Sequence, residues 1–363
     1  MRWSIRLGSV AGTEVRVHVT FFLLLAAVGW LFFARGGADA AVDGVLFILA
    51  VFGCVLLHEF GHVLTARQFG VRTPDITLLP IGGMARMQKL PDKPWQELLV
   101  AIAGPAVNVV IGAVLLAIFG ARAVLEGGEE PQALLMNIPF GERLMVVNFV
   151  LVIFNMIPAF PMDGGRVLRA LLAMMMNYGT ATKIASVIGQ GLALAGGFLG
   201  LLGPNPILIL IAVFVFMAAR GESEMVQMRI ALQGVPLERA MMTDFRVLPA
   251  EATLADAAAL LLAGAQHDFP VLADDGRLLG LLTRRQLIEG LSRNGAAHPA
   301  AEAMLRDVPT VPVGFPLREA FQVLNSKPVE SLPVMDNTGS RVVGMLTAEN
   351  VGELILIREA EAG

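Results

Sequence analysis

The sequence predicts a polytopic α-helical membrane domain, with about six transmembrane helices and a small interfacial β-hairpin, followed by a soluble α/β tandem repeat. Three observations predict it. Apolar residues make up 55% of the 363, and the mean hydropathy is +0.68, which is above the range of a soluble globule. Charge is divided unequally: residues 1–220 hold 15 Lys/Arg against 12 Asp/Glu, and residues 221–363 hold 12 against 19, so the two parts face different surroundings. Finally, three blocks of the second part recur in the same order at an offset of 63 or 64 residues.

A helix needs ~20 apolar residues to cross the hydrocarbon. Uncharged apolar runs occur at Val17 to Ala34, Gly44 to Leu57 (leading into a His-Glu motif), Leu98 to Ala121, Leu144 to Met162 and Ile184 to Ala219. The last is too long for one span, and Gly203-Pro204-Asn205-Pro206 divides it, giving six. Six spans put both termini on one side. That side holds twelve Lys/Arg, among them Arg67, Arg86, Lys89 and Arg166, against Arg35, Arg122 and Arg143 on the other. The bias places both termini and the soluble part in the cytoplasm, in a plasma or cell inner membrane. Ala38-Asp39-Ala40 also resembles a signal-peptide cleavage site, but losing the first span would spoil the alternation of loop charge. Between the second and third spans, Asp75 to Met87 has strand-like residues around Gly82-Gly83 and predicts the hairpin.

From Arg220 onward the composition is that of a soluble domain. Gly221 to Gly234 reads as a polar helical linker. Arg239-Ala240-Met241-Met242-Thr243-Asp244 then matches Glu302-Ala303-Met304-Leu305-Arg306-Asp307, Phe269-Pro270-Val271 matches Leu332-Pro333-Val334, and Gly280-Leu281-Leu282-Thr283 matches Gly344-Met345-Leu346-Thr347. Each copy reads as α-β-β-α, with turns at Asp274-Asp275-Gly276 and Asn337-Thr338-Gly339. The expected divisions are 1–220 for the membrane domain, 221–236 for the linker, and 237–294 and 300–357 for the repeats.

Some chemistries are excluded. Lys and Arg are scattered rather than gathered on a periodic face, which rules against nucleic acid. The single cysteine, Cys54, allows no intrachain disulfide and no Cys-rich metal site, and in its apolar run it reads as a small buried hydrophobe. Any metal must be held by His and carboxylate.

His58-Glu59-Phe60-Gly61-His62 offers such a site. On a helix, residues four apart project from one face, so both imidazoles can bind one Zn2+ while Glu59 is placed to take a proton from the attacking water. A catalytic zinc takes three protein ligands. Asp163 is the best third, being the acid at the inner end of the fourth span, where Pro158 and Pro161 break the helix and free backbone groups that only a polar cavity tolerates. An Asp that merely starts a loop is the alternative. His18, at the lip of the first span, reads as an interfacial anchor.

The pairing of His-Glu-Phe-Gly-His with Asn155-Met156-Ile157-Pro158-Ala159-Phe160-Pro161-Met162-Asp163-Gly164 resembles the site-2 protease family of intramembrane zinc metalloproteases. It is similar to the six-span subgroup with a C-terminal pair of cystathionine-β-synthase (CBS) domains. The resemblance covers nearly the whole chain. It implies one zinc per chain on His58, His62 and Asp163, Glu59 as general base and acid, and hydrolysis of membrane protein substrates within or near the bilayer. It sets Asn155, and Asn108 of Ala103-Gly104-Pro105-Ala106-Val107-Asn108, at substrate or the oxyanion. Helix capping explains Asn155 equally well, and close helix approach by small residues explains the Asn108 segment. The Asp75 to Met87 segment resembles the family's hairpin beside the active site, whose edge can pair with an unwound substrate; a plain interfacial hairpin is the equal alternative.

For the repeats, the resemblance implies a regulatory cleft for an adenine nucleotide such as ATP or AMP, or a homodimerising module. The family's Thr-x-x-Asp pattern stands here as Thr283 with Gln286 and Thr347 with Asn350, where an amide replaces the acid that holds ribose hydroxyls. Two other classes share some of these features: a CBS-gated ion or metal transporter, and a membrane metallohydrolase of a non-peptide substrate. A transporter needs ionisable residues along a path through the membrane, whereas here they gather at one depth.

Overall fold

The computed structural model describes residues 3–80, 82–86, 93–120, 139–326 and 329–362. Ile81, Met87, Lys89, Ala121 and Arg122, which entered the sequence expectations for the hairpin, the third span and the loop charges, lie outside these. The chain separates into two compact units, Met1–Glu224 and Met225–Gly363.

The first unit starts with strands β1 (Ser4–Val10) and β2 (Thr13–His18) and the long helix α1 (Val19–Gln68). Strands β3 (Asp75–Leu79) and β4 (Gly82–Arg86) follow, then helices α2 (Pro94–Phe119), α3 (Phe140–Asn155), α4 (Asp163–Ala173), α5 (Tyr178–Leu202) and α6 (Pro206–Ala231). Among the described residues, four helices (α1, α2, α5 and α6) are long and apolar enough to cross a bilayer. Large apolar side chains stand exposed along them, such as Trp30, Val110, Leu194 and Leu210, as lipid-facing residues do.

α1 accounts for the first two expected spans. Its 50 residues are about twice the length of a crossing, and it is broken at Gly36 and Gly37, where Gly37 has φ 73°, a conformation few side chains tolerate. The halves pack on each other: a Cβ on Gly44 would lie 2.8 Å from the Phe32 ring, and one on Gly29 3.4 Å from Val45.

The first helix begins at Val19, not Val17, because Val17 belongs to a strand. The alternation of Val15 and Val17 with Glu14 and Arg16 is the period-two pattern of a half-buried strand, with the valines buried. The hairpin is therefore part of a four-stranded sheet in the order β1-β2-β3-β4, with β2 and β3 parallel. His18 caps α1, its ring accepting from the Thr20 amide at 3.3 Å, which is a more specific role than anchoring.

The fourth span is shorter than its apolar run. α3 starts at Phe140 and ends at Asn155 after 16 residues, and residues 156–162, with Pro158 and Pro161, are non-helical before α4 starts at Asp163. α5 and α6 divide the last run at the expected turn. α6 then continues to Ala231, so residues 221–231 of the expected helical linker are continuous with that helix.

In the second unit each repeat gains one short strand that the sequence did not reveal. The first contains β5 (Leu248–Pro249), α7 (Leu254–Ala263), β6 (Phe269–Leu272), β7 (Leu278–Leu282) and α8 (Arg284–Asn294). The second contains α9 (Ala300–Ala303), β8 (Val311–Pro312), α10 (Leu317–Ser326), β9 (Ser331–Met335), β10 (Val342–Thr347) and α11 (Ala348–Ala362). Two-residue strands are below what pattern reading detects; here they pair in parallel with the central strands, Leu248 beside Val271 and Val311 beside Val334.

The recurring Met-Met and Met-Leu blocks are explained by exchange between the repeats. Met242 bridges to Met345 and Leu281 to Leu305. Gly280 is needed there, since a Cβ would meet the Leu305 backbone O at 2.4 Å, and a Cβ on Gly344 would press on Met241 Sδ at 2.7 Å. The symmetry-equivalent Asp268 and Ser331 meet directly, Ser331 Oγ donating to Asp268 Oδ2 at 2.7 Å.

Burial pushes the Asp268 carboxyl above its ordinary pKa, although Ser331 and the Arg284 amide donate to it and oppose the shift. A raised pKa means that the folded unit holds this proton more tightly than the unfolded chain. Its stabilising contribution is thus fully present below the unfolded value and is lost as pH rises through the folded one. Asp268→Asn is expected to raise the unfolding temperature of the second unit at pH 7 and to lose that gain as the pH falls toward about 4. Calorimetry across pH checks this; a gain independent of pH would refute it.

Candidate metal centre

His58 and His62 lie one turn apart on α1 and are 6% and 3% exposed. Asp163 opens α4 at 7% exposure. His58 Nε2 and His62 Nε2 are 3.1 Å apart, and each is 3.2 Å from Asp163 Oδ2. Among the described residues these three form the group able to hold a metal ion.

The partners of the rings fix which nitrogen faces inward. His58 Nδ1 lies 2.7 Å from Asn108 Oδ1, and His62 Nδ1 lies 2.7 Å from the Val100 carbonyl. Both partners accept hydrogen bonds, so each Nδ1 carries the proton and donates it, leaving both Nε2 lone pairs aimed at the carboxylate. Three lone-pair-bearing atoms so close repel one another unless a cation lies between them. Ligands ~2.0–2.2 Å from a tetrahedral zinc stand about 3.3–3.5 Å apart. The observed separations differ from this by a few tenths of an ångström, so the residues fit zinc.

Glycines make the approach possible. A Cβ on Gly104 would lie 2.2 Å from His62 Nε2 and 2.7 Å from His58 Nε2, and one on Gly61 2.7 Å from the Ala103 carbonyl. α2 therefore passes against the motif helix with bare backbone, the same close-packing device that small residues give membrane helices. Gly164 and Gly165 do the same at the start of α4, where a Cβ would enter the backbone of residues 156–160 at 2.3–2.7 Å.

Glu59 is half-buried. It lies against the edge strand β4: a Cβ on Gly83 would fall 2.5 Å from its Cγ and 3.0 Å from its Oε1. The Gly-Gly turn of the hairpin is thereby brought next to the acid of the motif, a proximity no local pattern revealed.

Asn108, expected at substrate or the oxyanion, lies beside His58. It is fully buried, and both ends of its amide are engaged: Oδ1 with His58, Nδ2 donating to Asn148 Oδ1 at 3.0 Å. Asn148 donates in turn to the Leu144 carbonyl at 2.8 Å and to Cys54 Sγ at 3.4 Å. Asn108 is thus occupied in orienting His58. Asn155 closes α3 half-buried, and no side-chain hydrogen bond is seen for it among the described residues. Sequence reading missed Asn148 and Val100, because each reaches the site through tertiary proximity.

In the second unit, Thr347 and Asn350 line a cleft of about 1030 Å³, together with Asp244, Arg246, Asp268 and Ser331. Thr283 and Gln286 do not line it; Thr283 instead caps α8, its Oγ1 accepting from the Gln286 amide at 3.3 Å. Thr347 donates to Asn350 Oδ1, and its oxygen accepts from the Asn350 amide at 3.1 Å. The two equivalent motifs therefore occupy different surroundings.

Comparison with known proteins follows the same division. The model of peptidase family M50 matches residues 46–138 and 133–196, and the CBS domain model matches 237–293 and 300–356. A zinc metalloprotease of Methanocaldococcus jannaschii is 37% identical over 282 residues, 78% of this chain and 78% of that protein. A Synechocystis protein that bears a zinc metalloprotease name is 30% identical over 371 residues, 97% of this chain and 95% of its own. The solved site-2 protease from M. jannaschii is 39% identical and covers 61% of this chain and 95% of that one, with a TM-score of 0.45.

Asn108→Ala removes the acceptor that fixes the His58 ring and is expected to weaken zinc binding about 10–100-fold. Gly104→Ala drives a methyl group into both imidazoles and is expected to abolish it. Chelator competition on the purified variants measures both, and parental affinity in Gly104→Ala would contradict the close approach.

Proposed function

Because this chain belongs to peptidase family M50, the membrane-embedded zinc metalloproteases of the site-2 protease type, and carries a CBS pair, we propose that it cleaves transmembrane or membrane-adjacent segments of protein substrates in regulated intramembrane proteolysis. The observation that carries this reading is the convergence of His58, His62 and Asp163 from two separate helices within 3.2 Å.

In this reading one zinc per chain is held by those three residues. When bound, zinc supplies Lewis acidity, which acidifies water and polarises a scissile carbonyl. Glu59, one residue from His58 and half-buried against Gly83, accepts the proton of the attacking water and returns it to the leaving amide nitrogen. Asn108 and the Val100 carbonyl keep both rings oriented through the cycle. The apolar helices limit access of bulk water, which strengthens the electrostatic interactions inside.

Substrate positioning falls to β4. Among the described residues it is an edge of its sheet, its outer side can take an extended segment by strand addition, and its Gly83 adjoins Glu59. A substrate helix must unwind to be cut, and an unpaired edge offers hydrogen-bond partners to the freed backbone. The distribution of loop charge supports a cytoplasmic location for both termini and the CBS pair.

For the CBS pair, the reading is an adenine nucleotide in the cleft lined by Thr347 and Asn350, modulating proteolysis. The amide of Asn350 provides a hydrogen-bonding group for ribose hydroxyls. Exposed Leu262, Ile288, Leu356 and Ile357 on its helices favour self-association through the same unit.

Glu59→Gln is expected to lower the rate of cleavage of a membrane peptide at least about a hundredfold with the zinc content unchanged, while His62→Ala is expected to lose the zinc. Both are checked by metal analysis of purified protein beside a gel-based cleavage assay; undiminished cleavage by Glu59→Gln would sink this role of Glu59, and absence of cleavage by the parent would admit a different hydrolase or a transporter. Asn350→Ala is expected to weaken nucleotide binding measured by calorimetry, and Gln286→Ala to leave it at the parental value. The opposite order would move the site to the other repeat.

A further inference from the structure

Arg169, on α4 six residues after Asp163, is 0% exposed. Its Nε and Nη2 both donate to Glu97 Oε1, at 2.8 and 2.5 Å, and its Nη1 donates to Glu222 Oε1 at 2.5 Å. The Tyr178 hydroxyl donates to the same Glu97 oxygen at 3.4 Å. The guanidinium lies 4.9 Å from the centre of the Phe160 ring and 5.2 Å from that of Tyr178. One side chain thus joins α2, α4, α5, α6 and the non-helical segment before Asp163.

A buried ion pair adds little net stability, because desolvation of both charges offsets their attraction. What it does provide is a fixed geometry, and here the geometry concerns the metal centre. Glu97 lies on α2 one turn before Val100, whose carbonyl holds His62, and the same helix presents Asn108 to His58. Arg169 lies on the helix that Asp163 begins. The Glu97–Arg169 pair therefore ties the helix that aims both imidazoles to the helix that carries the carboxylate. Only the planar, multi-donor guanidinium can hold two carboxylates at once in this way.

We propose that Arg169 is a positioning residue for the metal centre: through Glu97 it sets the distance between Asp163 and the two histidines, and through Glu222 it links that distance to the position of α6. The inference rests on the reading of His58, His62 and Asp163 as the zinc ligands.

The test measures zinc affinity by chelator competition on the purified full chain, and the unfolding temperature of the same samples without added metal. Arg169→Lys keeps the charge but not the fork, and is expected to weaken zinc binding at least about tenfold. Arg143→Lys is the control. Arg143 is also buried, pairs with Asp43 at 2.7 Å and lies over the Phe47 ring, but its pair stands about four turns of α1 before His58. It is expected to keep the parental affinity even where it costs as much thermal stability. Equal zinc loss in both variants, or parental affinity in Arg169→Lys, overturns the proposal. Should Arg169→Lys fail to accumulate, Glu222→Gln, whose side chain is 30% exposed, decides: weakened zinc supports the proposal and parental affinity overturns it. A parent protein without zinc affinity instead overturns the underlying metal reading.

Discussion

Two imidazole nitrogens and a carboxylate oxygen, held 3.1–3.2 Å apart inside a bundle of apolar helices, make the demand that the membrane unit is built to meet. Polar groups at membrane depth are costly unless they are paired or face a cavity, and three of them converging need every neighbouring backbone to come close without adding bulk. Gly104 against the imidazoles, Gly61 against Ala103, and Gly164 and Gly165 against residues 156–160 meet that need. A methyl group at any of these positions would strike atoms at 2.2–2.7 Å, so the glycines are a consequence of the site rather than of helix packing alone.

The same demand explains the irregular stretch between α3 and α4. Ending α3 at Asn155 leaves backbone groups that lipid cannot satisfy, but here Ala159, Phe160 and Met162 are buried in protein, and short-range contacts such as the Met162 amide with the Ala159 carbonyl at 3.0 Å bind up the turn. Asp163 then emerges at a helix start, where a carboxylate is also favoured by the helix dipole. The polar chain from His58 through Asn108 and Asn148 to Cys54 continues the principle outward: each buried donor finds an acceptor.

The second unit follows a different logic, that of a duplicated α/β core. Its repeats hold separate apolar clusters, one centred on Leu317, Leu332 and Leu346, the other on Leu254, Phe269 and Leu282. They exchange strand bridges through the Met-Met and Met-Leu segments. Symmetry of sequence does not carry through to symmetry of surroundings. Thr347 and Asn350 line the large cleft, whereas Thr283 and Gln286 do not, because duplicated positions diverge once their neighbours differ.

Short-range periodicity was enough to read the apolar runs long enough to span, the i, i+4 pair His58 and His62, the turn that splits α5 from α6, and the two α-β-β-α repeats. Each is a local pattern with a local physical cause, so it is legible without coordinates. Features that join segments far apart in the chain needed the packed fold: the union of the β1–β2 and β3–β4 strands in one sheet, the contact of Gly83 with Glu59, the hydrogen bond between Asn108 and His58, and the clamp of Arg169 on Glu97 and Glu222. Side-chain direction and distance between elements are set by packing, and packing is a property of the whole bundle that no window of residues contains.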